Sequence, residues 1–360
     1  MSGERFNDSI DMYDLIAQHP AVWVVVDGQD IFLVRNLPKG GMSIYPCSLD
    51  GVLGKELALQ HREYIWPIDF SQGLWLAYYD EDTPLGNMLN IFSRDGELLQ
   101  TIAGEGYYYT LALNEGRQIY FVNRRRLLSY DLSTNTYRDL ALPQLKSPSY
   151  YMGSHRGLHF FTCGGKSQLV AMRDKDGQGL EEIYRLDFAE SGRGYSLWRN
   201  GVVPGEIDFI NFYGSDLWVT TQKHLHRIDV ATGKSLEVRE EMILPKMSHC
   251  GDLGYSILAS FYKIFDFKAG QMLYRGRLDK FAYEGTEYSA QTNGLLLHEG
   301  IFYVSVRVSD SFFLAAFDVQ TEEFVWYDHW NGWDIDSVHI VGDRMIALSH
   351  NNIQIYQRAD

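Results

Sequence analysis

The densest group of side chains that could do chemistry lies near the end of the chain. Asp334 and Asp336 are two residues apart on a predicted strand, and His339 follows three residues later. Alternate residues of a strand point to the same face, so we expect the two carboxylates to lie together near an imidazole. Paired carboxylates can act as general acid and base in glycoside cleavage. A carbohydrate-active hydrolase or lyase with these three catalytic residues is therefore one hypothesis.

A structural explanation of the same residues is favoured. Aspartate often accepts hydrogen bonds from loop amides, and no second carboxylate pair with catalytic spacing accompanies this one. The sequence also contains no nucleophile elbow, no glycine-rich phosphate loop and no HExxH or CxxC motif. His224 and His226 form a pair, as do His155 and His159, but two ligands do not make a metal site. No metal and no cofactor is predicted.

Four short apolar segments recur as a unit about every 45 residues. The segments alternate apolar and polar residues or are rich in Val, Ile, Phe, Tyr and Trp, as β-strands are. Glycine adopts positive φ without strain and therefore suits the tight turn that opens each unit. The glycines predicted at this turn are Gly28, Gly73, Gly116, Gly157, Gly214, Gly254, Gly300 and Gly342.

A second marker has the same period. The third segment of most units runs into a turn rich in Asp, Gly and Thr, as in SRDG (93–96), YDLST (130–134), IDVATG (228–233) and FDVQTE (317–322). Such residues favour turns because their side chains bond to nearby backbone groups or tolerate positive φ.

A period of 40–50 residues with four strands per unit is typical of an all-β fold, the β-propeller, whose four-stranded antiparallel blades stack around an axis. We count eight units in the sequence, the last incomplete, so eight blades are favoured and seven are the alternative. The propeller is expected over residues 21–360, after an N-terminal segment of residues 1–20 with a short helix at residues 9–18. Residues 5–10 are expected to supply the missing outer strand and close the ring.

The phrase RIDVATGKSLEV (227–238), with weaker copies SYDLSTNTYRDL (129–140) and AFDVQTEEFVWY (316–327), resembles the pyrroloquinoline-quinone-like repeat of eight-bladed propellers. The resemblance implies the fold. Quinone-dependent dehydrogenases of that family use vicinal cysteines, and no two cysteines are adjacent here. The dehydrogenase activity is therefore not predicted.

One end of the predicted blades carries the variable connections. With strands A to D running outward from the axis, the A–B and C–D turns are short, whereas the D–A and B–C connections differ in length. Variable loops on a rigid scaffold commonly carry binding sites. The candidate loops are residues 79–87, 189–206, 278–288 and 328–336.

This end of the blades is expected to be acidic and aromatic. Tyrosine and tryptophan dominate protein-interface hot spots, and surrounding carboxylates would steer a basic partner. An equally good explanation is that the charges keep the chain soluble and the rings pack the channel mouth. The predicted partner-binding residues are Trp66, Asp80, Asp82, Tyr107, Tyr109, Trp198, Tyr288, Asp328, Trp330, Trp333 and Asp334.

The composition limits the function further. The formal charge is −15, from 32 basic and 47 acidic residues, which disfavours binding to nucleic acid or to an anionic membrane. No apolar run reaches the ~20 residues of a membrane helix, and no leader pattern opens the chain. The three scattered cysteines favour free thiols in a reducing compartment. A cytoplasmic location is expected.

The preferred hypothesis is therefore a non-enzymatic propeller that captures a protein, expected to be basic. A role as an inhibitor or immunity protein would suit an acidic cytoplasmic binder. The carbohydrate-active enzyme is the alternative, and turnover of a glycan that depends on Asp334 would favour it.

Overall fold

A computed structural model of the chain describes residues 12–20, 23–27, 30–36, 42–58, 65–71, 73–79, 88–103, 107–114, 118–123, 126–131, 134, 136–143, 150–163, 167–188, 207–221, 224–240, 248–258, 260–278, 280–283, 285–289, 291–330, 334–349 and 352–359. Across these ranges every regular element is a strand, and no helix occurs.

The first half of the chain forms strand β1 and four sheets. β1 spans Tyr13–Pro20. Sheet 1 contains β2 (Trp23–Asp27), β3 (Asp30–Asn36), β4 (Met42–Cys47) and β5 (Leu57–Ala58). Sheet 2 contains β6 (Ile65–Ser71), β7 (Leu74–Tyr79), β8 (Met88–Ser93) and β9 (Leu98–Ala103). Sheet 3 contains β10 (Tyr107–Asn114), β11 (Gln118–Asn123), β12 (Arg126–Asp131) and β13 (Thr136–Ala141). Sheet 4 contains β14 (Tyr150–His155), β15 (Leu158–Cys163), β16 (Gln168–Asp174) and β17 (Leu180–Asp187).

The second half forms four more sheets and a hairpin. Sheet 5 contains β18 (Ile207–Tyr213), β19 (Asp216–Thr221), β20 (His224–Asp229) and β21 (Ser235–Glu240). Sheet 6 contains β22 (Ser248–Cys250), β23 (Leu253–Leu258), β24 (Phe261–Asp266) and β25 (Gln271–Arg277). The hairpin consists of β26 (Lys280–Tyr283) and β27 (Thr286–Ser289). Sheet 7 contains β28 (Gln291–His298), β29 (Ile301–Val308), β30 (Ser311–Asp318) and β31 (Glu323–Trp330). Sheet 8 contains β32 (Ile335–Val341), β33 (Arg344–Ser349), β34 (Asn352–Arg358) and β1.

Sheets 1 to 7 are antiparallel meanders in which strands consecutive in the chain are neighbours, as the repeat predicts, and sheet 8 differs only in its outer strand, β1. The described residues thus contain eight four-stranded sheets. Seven of these sheets end in a fourth strand of six to eight residues, whereas β5 of sheet 1 has only two.

Sheet 8 joins the two ends of the chain. β1 pairs antiparallel with β34, from Tyr13 opposite Arg358 to Pro20 opposite Asn352. The helix predicted at residues 9–18 is therefore wrong for its described part, because residues 13–18 lie in β1. A partner strand more than three hundred residues away satisfies the backbone groups and overrides local helix preference. Residues 5–10, predicted to form the outer strand, lie outside the described residues.

The turns largely follow the predicted residues. Gly73, Gly157, Gly214, Gly300 and Gly342 have positive φ at the first turn of their sheets, while Gly28 and Gly116 lie outside the described residues. In sheet 6 the prediction was wrong by three residues, because Gly251 makes the turn (φ 58°) and Gly254 lies within β23.

The turn after the third strand is closed by an aspartate in sheets 3 to 7. Asp229 is an example: its Oδ1 accepts hydrogen bonds from the amide and hydroxyl of Thr232, at 2.9 and 2.6 Å. These bonds hold the pKa of Asp229 below its usual range. The other aspartates of this kind are Asp131, Asp174, Asp266 and Asp318.

The outer strands have a feature that the sequence repeat did not reveal. In six sheets the pairing between the third and fourth strands shifts by one residue, so the fourth strand carries a β-bulge. The extra residue is aliphatic each time: Ile16, Leu99, Ile183, Leu236, Leu273 and Val325. Among the described sheets with a full outer strand, sheet 3 differs, because β12 and β13 pair from Arg126–Ala141 to Asp131–Thr136 without a shift.

Within each compact unit, the cores lie between the faces of consecutive sheets. One compact unit comprises Met1–Ala103 with Ser248–Asp360, and a second comprises Gly104–Met247. In the first unit a core of buried side chains joins sheets 6 and 7, with Ile264 and Phe302 at its centre. In the second unit, Phe160 of sheet 4 and Leu217 of sheet 5 belong to one core. Burial on both faces explains why the inner strands are nearly continuous apolar runs.

Candidate functional site

Many of the predicted partner-binding residues lie outside the described part of the chain. Asp80, Asp82, Trp198 and Trp333 are among the residues that the structure does not describe. The backbones of Trp66, Tyr107 and Tyr109 lie on β6 and β10, but their side chains also fall outside the described set. The predictions for these seven residues stay predictions.

Trp330, predicted as a surface contact, is buried instead. Its side chain is 1% exposed and packs in the core between sheets 7 and 8 with Ile335 and Tyr356. Trp330 is the last residue of β31, and the apolar side chains of sheet 8 cover its ring. Its indole therefore stabilises the fold and is not available to a partner.

Asp328 takes part in an internal hydrogen bond. The hydroxyl of the buried Tyr356 donates to Asp328 Oδ2 at 3.0 Å, and Gln354 also contacts this hydroxyl. Burial and the neighbouring Asp328 carboxylate raise the pKa of Tyr356 above its ordinary range. The phenol remains protonated and keeps donating, so Asp328 contributes to packing of sheet 7 on sheet 8.

Asp334 is held by both of its carboxylate oxygens. Asn293 Nδ2 donates to Oδ2 at 3.2 Å, while the Ser305 hydroxyl and the Ile335 amide donate to Oδ1, the amide at 3.0 Å. A carboxylate that receives three such bonds positions the start of β32 against sheet 7. This arrangement matches the structural explanation of the aspartate.

The proposed catalytic partners of Asp334 do not follow the simple strand pattern. Asp336 lies at a bulge between Ile335 and Ser337, which breaks the alternation on which the shared-face prediction depended. His339 lies three residues after Asp336 in β32, with its Nε2 3.4 Å from the Ser337 hydroxyl. Burial lowers the pKa of His339, so its imidazole is neutral near pH 7.

Tyr288 lies in the β26–β27 hairpin, which connects sheet 6 to sheet 7. The hairpin is anchored by Phe281, which is fully buried 5.2 Å from the Phe313 ring and 5.3 Å from the Tyr327 ring. Tyr288 is partly buried against the same core. An ion pair between Lys280 and Glu287, at 3.2 Å, joins the two strands on the outside. The hairpin is thus an ordered part of the variable end.

Two arginine–phenylalanine pairs occupy the same variable end of sheets 6 and 7, and sequence reasoning missed both. The Arg277 guanidinium lies 4.7 Å from the centre of the Phe261 ring, and that of Arg307 lies 5.4 Å from the centre of the Phe312 ring. Phe261 is 51% exposed, although it is a large apolar residue. These four residues are called the stacked-arginine pairs.

Strand register produces these pairs. Phe261 begins β24 opposite Arg277, the last residue of β25, and Arg307 near the end of β29 faces Phe312 in β30. All four lie where B–C turns or D–A connections leave the sheets. Arginine over an aromatic face gains a cation–π interaction, and Arg307 Nε also donates to the Ser309 carbonyl at 3.0 Å. Arginine and aromatic residues are also the types enriched at interface hot spots.

The two histidine pairs noted in the sequence both lie in the second unit, among aromatic and apolar side chains. His224 and His226 line a cleft of about 310 Å³ beside Phe188 and Val238, with their ring centres 5.8 Å apart. No group of three His, Cys, Asp or Glu residues in the described ranges is arranged to hold a metal ion. His159 is buried against Tyr120 and Tyr151.

Comparisons with known proteins agree on the fold. The sequence matches no protein-family model and no curated protein. The designed protein Ika8 is similar over 95% of this chain and 98% of its own, with a TM-score of 0.61 and 11% identity. BamB from Moraxella catarrhalis is similar over 96% and 99%, with a TM-score of 0.60 and 11% identity. The Dos1 propeller is similar over 97% and 96%, with a TM-score of 0.59 and 12% identity.

The similarity at such low identity shows the fold alone. This chain is an all-β protein of the β-propeller class, built from repeated four-stranded antiparallel sheets. Within the described residues, no helix is long and apolar enough to cross a membrane.

Proposed function

We propose that this chain is a non-enzymatic β-propeller that binds a protein partner through the variable end of its sheets. The observation that carries the proposal is the half-exposed Phe261 under the Arg277 guanidinium. A monomer gains nothing in solubility from an exposed phenyl ring, whereas a partner that covers it would remove apolar area from water. The Arg307–Phe312 pair at the same end of the neighbouring sheet supports the same use.

The proposal also covers the number of blades, the type of repeat and the closure of the propeller. Each of the eight four-stranded sheets is one blade, and the repeats are of the pyrroloquinoline-quinone-like type. The pairing of β1 with β34 supports closure of the ring by the N-terminal segment.

The partner is proposed to be a basic protein in the cytoplasm. The net charge of −15 would accelerate the approach of a basic protein and slow that of an acidic one. Binding would block the partner, as an inhibitor or immunity protein does. The stacked arginines then contact the aromatic or carboxylate groups within that basic surface.

The alternative of a carbohydrate-active enzyme gains no specific support. Asp334 is occupied by three internal donors, and Asp336 lies at a bulge. We therefore do not propose it as a second function.

The test is a comparison of partner capture by matched variants. The chain is used as bait in extracts of its native host, and the captured protein is then purified for titration. Phe261→Ala combined with Phe312→Ala is expected to weaken binding at least tenfold, because both rings lose their contact area. Tyr274→Ala is the matched control, since Tyr274 is a 39% exposed aromatic on the same outer strand as Arg277.

Two further measurements test the basic character of the partner and the inhibitory role. An association rate that falls as salt increases from 50 to 300 mM, in roughly the manner expected of opposite charges, supports a basic partner. Equal binding by the double variant and by the control contradicts the proposed face. An assay of the partner with and without this chain tests inhibition.

A further inference from the structure

The outer edge of a β-sheet presents unpaired backbone groups that can bind another strand. The described outer strands differ in whether a β-bulge interrupts that edge. Six of these strands carry a one-residue bulge, which disturbs the regular spacing of edge groups. β13 differs because its six residues pair in unbroken register with β12. Among the described outer strands of six or more residues, β13 is therefore the one best suited to continue a sheet.

β13 is also long enough and open enough to accept a strand. It stands at the end of sheet 3, and most of its residues are exposed, including Tyr137 at 51%. An added strand would form the main-chain hydrogen bonds of an antiparallel or parallel ladder, and Tyr137 would cover its side chains on one face.

A polar depression lies beside the opposite face of β13. It encloses about 270 Å³, which is enough for one side chain, and it is lined by Ser129, Asp131, Thr134, Thr136 and Arg138. The register places Ser129 opposite Arg138 and Asp131 opposite Thr136, so the two strands build the depression together. In strand addition, backbone bonds supply affinity and a side-chain pocket of this kind supplies specificity.

Charge determines which side chain the depression would take. The Arg138 side chain is 73% exposed, and the Asp174 carboxylate is 4.0 Å away, at the limit of an ion pair. Asp131 is already bonded to the Thr134 amide at 3.2 Å. The Thr134 and Thr136 hydroxyls bond to each other at 2.7 Å, which leaves one of the two to donate outward. A carboxylate on an incoming strand can pair with the planar guanidinium and accept that one bond.

We infer that the outer edge of β13 binds an extended segment of a protein partner, with an aspartate or glutamate side chain of that segment seated beside Arg138. The inference rests on the proposed function only in that the partner is a protein. The surface belongs to the second unit, whereas the stacked-arginine pairs belong to the first. The two surfaces can therefore fail or succeed separately.

The experiment uses the full chain and a labelled six-residue peptide that alternates valine and threonine and has one central aspartate. Fluorescence anisotropy at 150 mM salt measures binding of this probe. A leucine inserted between Tyr137 and Arg138 copies the bulge of the other outer strands. We expect the insertion to weaken binding at least tenfold, with a melting temperature close to that of the parent chain, because six sheets accommodate the same bulge.

The second variant separates the contribution of the β13 backbone edge to peptide binding from that of the polar depression. Arg138→Gln is expected to remove the preference for the aspartate peptide over one with lysine at that position, while the backbone ladder persists. Phe261→Ala, in the other unit, is expected to leave peptide binding unchanged. Probe binding that survives the insertion, or an absence of binding to the parent chain, would overturn the inference. A preference for aspartate that persists without Arg138 would overturn the assignment of the depression.

Discussion

The buried imidazole of His159 in sheet 4 makes the stability of the folded protein depend on pH. Its ring is 6% exposed, its Nδ1 lies 3.2 Å from the Tyr151 hydroxyl, and the Tyr120 ring meets it edge-on at 5.0 Å. Burial lowers its pKa to about 4, although the nearby charge of Asp174 acts in the opposite direction. The folded protein therefore holds this imidazole neutral.

Acid is expected to destabilise the second unit through His159. The unfolded chain takes up the proton near pH 6.5 but the folded chain only near pH 4, so stability is complete above pH 6.5 and is lost as the pH falls between these values. The loss is on the order of 3 kcal/mol below pH 4. Urea unfolding at a series of pH values, for the parent chain and for His159→Gln, measures this contribution. Identical slopes of unfolding free energy against pH for the two chains would exclude it.

The role of Asp334 is tested by a change that keeps its shape. Asp334→Asn replaces one acceptor oxygen with a donor and removes the negative charge that Ser305, Asn293 and the Ile335 amide share. We expect a loss of about 1–2 kcal/mol of stability. Thermal unfolding measures this change, and Asp343→Asn at the exposed end of sheet 8 serves as the control. If the melting temperature were unchanged and turnover of a glycan were lost, Asp334 would be catalytic instead.

At the scale of elements, the fit between neighbouring sheets depends on particular turns. Gly233 in the turn before β21 has φ of 70°, and a Cβ atom there would come within 2.6 Å of the Tyr184 ring of sheet 4. The Tyr184 hydroxyl in turn donates to the carbonyl of Val230 at 2.8 Å. The absence of a side chain at Gly233 thus allows this turn of sheet 5 to pack against the Tyr184 ring of sheet 4.

Two glycine substitutions separate backbone strain from this close approach. Gly214→Ala introduces only strain, because nothing lies within 4 Å of its new Cβ, and is expected to cost about 1 kcal/mol. Gly233→Ala adds the contact with Tyr184 and is expected to cost at least about 2–3 kcal/mol. Chemical unfolding of the two variants measures the difference. Equal losses would show that the sheets adjust freely around Tyr184.

Sequence reasoning succeeded where the determinants are local. Alternating apolar residues predicted the strands, and aspartate-rich turns such as that at Asp229 gave the repeat. It failed for the helix assigned to residues 9–18, because residues 13–18 pair with β34 at the other end of the chain. The bulge residues, such as Leu236, resemble ordinary strand residues, because only the register of the neighbouring strand makes them extra.

The candidate site was harder to predict for the same reason. The sequence highlighted acidic loops and tryptophans, yet Trp330 is covered by sheet 8, a contact that no local pattern encodes. The Arg277–Phe261 pair arises only when β24 and β25 align. A count of arginines at the ends of predicted outer strands would have been the available signal.

At the scale of the molecule, the first and last segments of the chain stabilise one another. Tyr13 of β1 packs edge-on against Trp326 at 5.6 Å and shares a hydrogen bond with the Tyr303 hydroxyl at 2.9 Å. His19 Nε2 donates to the Gly51 carbonyl at 2.6 Å, and Arg344 pairs with Asp50 at 2.8 Å. These contacts tie β1 and sheet 8 to sheets 7 and 1.

Removal of β1 should therefore affect more than one sheet. A chain that starts at residue 21 leaves the edge of β34 unpaired and uncovers the Tyr303 ring. We expect its melting temperature to fall by several degrees, in proportion to the aromatic burial that is lost. A synthetic peptide of residues 11–22 should restore part of the loss, as calorimetry can measure. No change on truncation, or no rescue by the peptide, would contradict this role of β1.

The backbones of Met12 and Ala359 are adjacent and share a hydrogen bond of 3.1 Å. The order of the sheets along the chain can therefore be permuted without separating these two residues. A short linker can join residue 12 to residue 359, and the chain can be cut in the tight turn at residues 175–179, where the Lys175 amide donates to the Gly179 carbonyl at 2.9 Å. Such a circular permutant should fold with the same pairing of β1 and β34. It would also place a fusion partner on sheet 4 of the second unit, whereas Met12 and Ala359 belong to the first unit.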